Sequence, residues 1–152
     1  MTLRRLLPLL LLLPALAWAE SDLVRKKSEN NVQETMDRLE EAVTGKGLTV
    51  FARIDHRANA ESVGKKMPDS QVLLFGNPKA GTRVMLHDLA AGLDLPMRVL
   101  AYSDFDGNTW VVYHNPQGLK ATFAVEECKV LDKLEKGLDA LTNKAVQHGS
   151  GG

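Results

Sequence analysis

The segment from Phe75 to Arg83 has the spacing of a loop that could hold a phosphate group. Gly76 and Gly81 are separated by four residues, as in the nucleotide-binding loop in which backbone N–H groups surround phosphate. That loop continues with a Lys that contacts the phosphates and a hydroxyl residue that holds magnesium, whereas this chain continues with Thr82 and Arg83. The sequence therefore excludes nucleotide hydrolysis by such a loop.

A weaker form of anion binding stays open for the same segment. The free N–H groups at a helix start attract anions, and Lys79, Thr82 and Arg83 stand next to the predicted start. The alternative is a strand-to-helix turn whose shape is set by Gly and Pro alone.

His56 is the second candidate, because histidine titrates near neutral pH and is the usual general base or metal ligand. Asp55 precedes it on a predicted strand, where adjacent side chains point to opposite faces, so Asp55 is badly placed to orient it. The alternation places His56 on the apolar face at the rim of the strand. A hydrogen-bonded structural histidine and a ligand-contacting histidine both remain open.

The remaining soft or nucleophilic side chains indicate neither a metal site nor a cofactor. His and Met could ligate copper in an exported protein, but the candidates lack the local spacing of a metal site: His56, His87, His114, Met67, Met85 and Met97. The lone Cys128 lies on the apolar stripe of a predicted helix, which favours a buried, inert thiol.

The N-terminus resembles a secretory signal peptide. Arg4 and Arg5 precede an uncharged apolar run, and residues 17–19 read Ala-Trp-Ala. The run from Leu6 to Ala19 covers 14 residues, whereas a membrane-spanning helix needs about 20. We expect cleavage after Ala19 and, in a bacterium, a periplasmic protein; a retained membrane anchor is the alternative.

The composition places the rest of the chain among ordinary globular domains. The 152 residues include 19 Lys and Arg against 19 Asp and Glu, so there is no basic excess of the kind that nucleic-acid binding requires. No further apolar segment is long enough to span a membrane. The length is that of one domain, predicted for residues 20–146, with a flexible tail over 147–152.

Strands and helices alternate along this domain. The predicted strands, the second of which alternates apolar and polar residues, are Leu23–Ser28 at a sheet edge, Leu48–Arg57, Val72–Phe75, Met97–Ser103 and Thr109–Tyr113. The predicted helices run from Val32, capped by Asn30, to Val43, from Ala58 to Gly64, from Gly81 to Ala91 and from Val125 to Val146. The class is α+β, a mainly antiparallel sheet with helices packed on one face, because a parallel sheet would require strands that are apolar on both faces.

Several short blocks resemble the domain-of-unknown-function 302 (DUF302) family, here as an exported member. They include Phe-Gly-Asn-Pro-Lys at 75–79, Asp-Leu-Pro at 94–96 and Asp-Gly at 106–107, and the resemblance covers roughly residues 22–118. It implies a compact, β-α-β-rich α+β domain with a tendency to form homodimers and with no established reaction. The family's marked positions, among them His56, Asn77 and Asp94, would then gather around one loop region.

The favoured function is a non-catalytic, exported module that binds a small molecule or a protein. Its predicted pocket lies between the His56 end of the strand and the loop at 77–83. The residues predicted to contact the ligand are His56, Asn77, Lys79, Thr82, Arg83 and Asp94. The alternatives are an enzyme with His56 as general base, which needs an acidic or hydroxyl partner for that histidine, and a structural protein with an exposed apolar patch.

Overall fold

The computed structural model describes residues 22–148, so the predicted signal peptide and the last four residues of the predicted tail lie outside it. The five strands are β1 (Leu23–Lys27), β2 (Thr49–Asp55), β3 (Ser70–Gly76), β4 (Met97–Ser103) and β5 (Thr109–His114). The α-helices are α1 (Val32–Gly45), α2 (His56–Ser62), α3 (Pro78–Met85) and α4 (Val130–Val146), and 3₁₀ helices cover Leu89–Asp94 and Pro116–Ala121.

The strands form one sheet in the order β1-β5-β4-β3-β2, and every neighbouring pair is antiparallel. The register runs straight across its centre, where Val72 pairs with Leu100 and Leu100 with Val112. β1 lies at an edge, as its charged sequence predicts. The predicted antiparallel α+β class is confirmed.

One face of the sheet is covered by α1 and α4. Alternate strand residues point into a shared core with the apolar stripes of both helices; the fully buried members include Leu73, Val99, Val111, Met36, Leu39 and Val43. On the opposite face, side chains such as Val72 and Leu100 are only partly buried. The prediction of helices packed on one face is therefore confirmed.

A second, smaller core lies beneath α3 and the start of α4. Its members are Val84, Ala91, Leu119, Phe123, Val125, Cys128 and Leu131. Cys128 is buried there, in agreement with the prediction from its helical stripe. Leu95 and Leu134 touch both cores, so the two are joined near the end of α3.

A β-bulge at Phe51 interrupts β2. Val50 pairs with Phe75, but Ala52 already pairs with Leu74, so Phe51 is an extra residue without a partner on β3. Such an insertion shifts all later side chains to the opposite face of the strand.

The bulge corrects the predicted environment of His56. Arg53, not Ile54, lies on the core side, where its Nη1 is 2.6 Å from Oδ1 of Asp37 on α1. His56 does not continue the strand, because Asp55 ends β2 and caps α2 by accepting a 2.9 Å hydrogen bond from Ala58 N. The expectation that His56 lies on the apolar strand face is wrong.

The predicted cap of α1 and the predicted starts of α3 and α4 are also wrong, whereas α1 begins at Val32 as predicted. Asn31, not Asn30, caps α1, and its Oδ1 accepts a 2.8 Å hydrogen bond from Glu34 N. The predicted helix from Gly81 to Ala91 is instead α3 followed by a 3₁₀ helix. α4 begins at Val130 rather than Val125, because Val125–Cys128 is a hydrogen-bonded turn.

Candidate functional site

An apolar groove of about 310 Å³ opens where β3 leads into α3. Its walls come from α3, the bulge of β2, the segment that leads into β4, and one residue of α4. The lining residues include Phe51, Gly76, Asn77, Pro78, Gly81, Thr82, Met85, Leu95, Pro96, Met97 and Leu134. This volume is at the small end of typical ligand sites, which cover about 300–1,000 Å³.

The sequence shapes this groove through the cap of α3. Asn77 has extended backbone angles and its Oδ1 accepts a 2.9 Å hydrogen bond from Lys79 N, while Pro78 occupies the first turn, where its missing N–H costs nothing. The Asn77 Nδ2 group and the Thr82 hydroxyl form no hydrogen bond with the described residues. Two polar groups at the groove are therefore free for a ligand.

Glycines keep the groove open. A Cβ on Gly76 would lie 3.8 Å from Cβ of Pro96 and 3.9 Å from Cε2 of Phe51, and one on Gly92 would lie 3.1 Å from Sδ of Met85. Side chains beyond Cβ at these positions would occupy space between the walls. The absence of side chains therefore maintains an apolar surface that a small ligand can contact.

A second, more polar pocket of about 230 Å³ shares Met97 with the groove. Nδ1 of His114 lies 2.8 Å from Oδ1 of Asp22, and Nη2 of Arg98 donates a 3.2 Å hydrogen bond to Oδ1 of Asp94. Sequence reasoning did not assign Asp22 or His114 to a ligand site. They are 92 positions apart, so no local motif could have connected them.

The structure does not bring the six predicted ligand residues together. Asn77 and Thr82 line the groove, whereas Asp94 lines the polar pocket. Lys79 and Arg83 lie on the exposed side of α3 and outside both cavities.

His56 lines neither of these cavities. Within the described residues its ring has no hydrogen-bond partner, and Asp55 is engaged as the cap of α2. The acidic or hydroxyl partner that a general base at His56 requires is therefore not found there, whereas His114 does have a carboxylate partner.

The family model described as "Domain of unknown function DUF302" matches residues 24–141. The chain belongs to the DUF302 family. A crystal structure of an uncharacterized conserved DUF302 protein from Bacillus stearothermophilus has the same fold, with a TM-score of 0.70 at 23% identity, over 81% of this chain and 97% of that chain.

Curated relatives of this DUF302 chain occur in Brucella. It is 37% identical over 106 residues to proteins named fluoride-specific ion channel FluC 1 in Brucella suis and Brucella abortus. The match covers 70% of this chain but only 42% and 39% of those proteins. The chain thus spans about two fifths of their length. Within residues 22–148, no helix has the length and apolarity needed to cross a bilayer.

Proposed function

We propose that this DUF302 protein is a non-catalytic module that binds a small, largely apolar ligand in the groove beside α3. The observation that carries the proposal is the groove itself, in which apolar walls surround two polar groups of Asn77 and Thr82 that have no partner within the described residues. Apolar contact area supplies affinity in such sites, and a few placed polar groups supply orientation.

The chemistry of the lining supports binding rather than catalysis. The lining residues are Phe, Gly, Asn, Pro, Ala, Thr, Met and Leu, and none is a His, Cys, Asp, Glu, Lys, Arg or Tyr. Proton transfer needs such a group within hydrogen-bond reach of the ligand, and a hydroxyl such as that of Thr82 becomes a nucleophile only when a neighbouring base activates it. A molecule held in this groove therefore meets a surface that can bind and orient it without transferring protons.

The proposed site of action is the periplasm. The charged residues Arg4 and Arg5, the apolar run that ends at Ala19 and the Ala-Trp-Ala sequence before Glu20 support export with cleavage after Ala19. The intact mass of the protein purified from its export compartment tests this point, and a mass that includes residues 1–19 would contradict it.

A pair of glycine variants tests the groove. Gly81→Leu places a side chain toward Leu95, whose Cδ1 would lie 3.9 Å from the new Cβ, whereas a Cβ at Gly137 on α4 would have no atom within 4 Å. Both glycines lie within helices, so the two substitutions have similar effects on helix propensity. The main difference is that only Gly81 lines the groove.

The probe is 1-anilinonaphthalene-8-sulfonate, a mainly apolar dye followed by its fluorescence. We expect wild type and Gly137→Leu to bind it alike and Gly81→Leu to bind at least about tenfold more weakly, which corresponds to the loss of about 1.4 kcal/mol. Equal binding by the two variants, or no binding by wild type, would overturn the proposal. Native mass spectrometry of the purified protein then identifies any retained ligand and tests the homodimer that the family resemblance implies.

The Brucella relatives support a second candidate, an accessory role beside an ion channel. Their names describe fluoride channels, and the region similar to this chain is about two fifths of each protein. Under this candidate the DUF302 protein binds a channel protein and not a free ligand. Co-purification with a FluC channel in detergent tests it, and failure to co-purify under conditions in which the dye still binds would favour the groove.

A further inference from the structure

Three leucines point into solvent at the end of α3 and in the following 3₁₀ helix. Leu86 is 76% exposed, and Leu89 and Leu93 are each 81% exposed. Together they form a leucine patch within eight residues. Single exposed leucines are ordinary on a protein surface, but several so close together mark an interaction site.

The outward direction of the leucine patch is fixed by the residues between and before the leucines. Ala91 and Val84 are fully buried in the second core, and a Cβ on Gly92 would lie 3.1 Å from Sδ of Met85. Smaller side chains such as Val84 and Ala91 therefore pack the segment against the second core, whereas the three larger leucines are exposed to solvent.

Two cations accompany the leucine patch. Lys79 and Arg83 are four residues apart on α3, and Leu86 follows three residues later, so the three side chains share one helical face. Arg83, Leu86 and His87 also line one shallow depression. Within residues 22–148 the side chains of Lys79 and Arg83 form no hydrogen bond or ion pair, so both charges are available to a partner.

Two nearby carboxylates are already engaged. Asp88 accepts hydrogen bonds from Ala90 N at 2.9 Å and Ala124 N at 3.0 Å, and Asp94 accepts one from Arg98. Glu127 shares the depression with Arg83, but Lys129 lies beside it there. Asp88 keeps its negative charge in these backbone contacts, whereas Asp94 is paired with Arg98 and Glu127 lies beside Lys129. The named groups around the leucine patch therefore carry one positive charge in excess, and Lys79 and Arg83 are cations without a partner within residues 22–148.

We propose that the leucine patch docks on an anionic lipid bilayer, with the leucines at the level of the acyl boundary and with Lys79 and Arg83 on the phosphate headgroups. Apolar side chains beside Lys and Arg are the composition of interfacial membrane-binding surfaces. Anionic lipid also complements the two unpaired cations, which a purely apolar partner would not.

Co-sedimentation with phosphatidylcholine vesicles, with and without phosphatidylglycerol, tests this surface. The experiment uses the protein purified from its export compartment. The variants are Leu86→Ser/Leu89→Ser/Leu93→Ser and Lys79→Gln/Arg83→Gln. Phe105→Ser is the matched control, because Phe105 is 94% exposed but lies in the turn at the opposite end of β4. The apolar run at residues 6–19 could itself bind lipid, but it is the same in wild type and in every variant. Differences in binding between the samples therefore come from the substituted surface residues.

We expect wild type and Phe105→Ser to bind phosphatidylglycerol vesicles equally, and more weakly as salt increases. The leucine variant loses at least about tenfold in partitioning, since each buried methylene contributes to membrane affinity. The cation variant loses about tenfold and also most of the dependence on phosphatidylglycerol and salt.

Failure of wild type to bind, or an equal loss in Phe105→Ser, would overturn the proposal and direct attention to a protein partner for the same leucines. Unchanged circular dichroism and melting temperature show that the variants are folded. Dye binding in the groove is measured in parallel, so that failure of the lipid surface and failure of the groove are distinguished.

Discussion

The indole Nε1 of Trp110 on β5 donates a 2.8 Å hydrogen bond to Oδ2 of Asp104 in the β4–β5 turn. The other carboxylate oxygen of Asp104 accepts hydrogen bonds from the backbone N of Asp106 at 3.0 Å and of Asn108 at 2.8 Å. The Trp110 bond, assisted by those from Asn108 and Asp106, outweighs desolvation and holds the pKa of Asp104 below its ordinary value of 3.8. One carboxylate thus organises the whole turn.

This relationship predicts an acid-dependent contribution to stability. Because the folded pKa of Asp104 is below the unfolded one, its stabilisation is present above the unfolded pKa and is lost as pH falls through the folded pKa. Asp104→Asn should therefore be less stable than wild type at neutral pH and should lose less stability on acidification. Urea unfolding at neutral and acidic pH measures both. Asp106→Asn is the control, since that carboxylate accepts no hydrogen bond within the described residues, and an identical change in both variants would refute the assignment.

Lys26 on the edge strand reaches α4 and controls the acidity of Asp139. Its Nζ lies 2.7 Å from Oδ1 of Asp139 and donates a 2.8 Å hydrogen bond to Oγ1 of Thr142. The hydrogen bond from Lys26 is the main cause that lowers the pKa of Asp139. Lys26→Met should raise that pKa toward its ordinary value of 3.8, as measured by NMR titration of the carboxyl carbon. Lys27→Met, on the next residue of β1, should leave it unchanged; an unchanged value in both variants would contradict the prediction.

Two adjacent asparagines should contribute differently to stability. Asn30 is 5% exposed, and its Nδ2 donates hydrogen bonds to the carbonyls of Ala145 and Gln147 at the end of α4, at 3.2 and 2.9 Å. Asn30→Ala leaves the buried carbonyl of Ala145 and the partly buried carbonyl of Gln147 with one partner fewer and should cost about 1–3 kcal/mol. Asn31→Ala removes only the cap of α1 and should cost about 1 kcal/mol. Urea unfolding measures the loss of unfolding free energy in each variant. A larger loss in Asn31→Ala than in Asn30→Ala would show that the hydrogen bonds from Asn30 to the end of α4 contribute little.

Much of this fold could be predicted because its strands follow simple patterns. β4 has the predicted bounds, Met97 to Ser103, and the Asp-Gly pair at 106–107 lies in the turn between the two predicted strands, with Gly107 at a φ of 83°. The cap of α1 was misplaced by one residue because Asn30 and Asn31 have the same chemistry. The two asparagines differ in that the Asn30 side chain donates a hydrogen bond to the Ala145 carbonyl near the end of α4, which is distant in sequence.

The candidate site was predicted only in part, for two physical reasons. The loop after β3 was found because Gly, Asn and Pro in series break a strand, and Asn77 and Thr82 do line the groove. The bulge at Phe51 has no local sequence signal, yet it decides which side chains of β2 face the core. Phe51 on β2 and Leu134 on α4 both line the groove, and only the packing of elements that are distant in sequence places them there.

A pair of leucine variants should show whether the leucine patch is covered by a second copy of the chain in solution. Leu39 is fully buried in the main core, whereas Leu93 is 81% exposed. Leu39→Ala should cost about 2–5 kcal/mol of unfolding free energy, because it removes buried apolar surface and leaves a cavity. Leu93→Ala should change that free energy by no more than about 0.5 kcal/mol. Urea unfolding at several protein concentrations measures both. A large loss at Leu93 that depends on protein concentration would mean that another copy covers this leucine, and the surface proposed for lipid would then be an interface between copies.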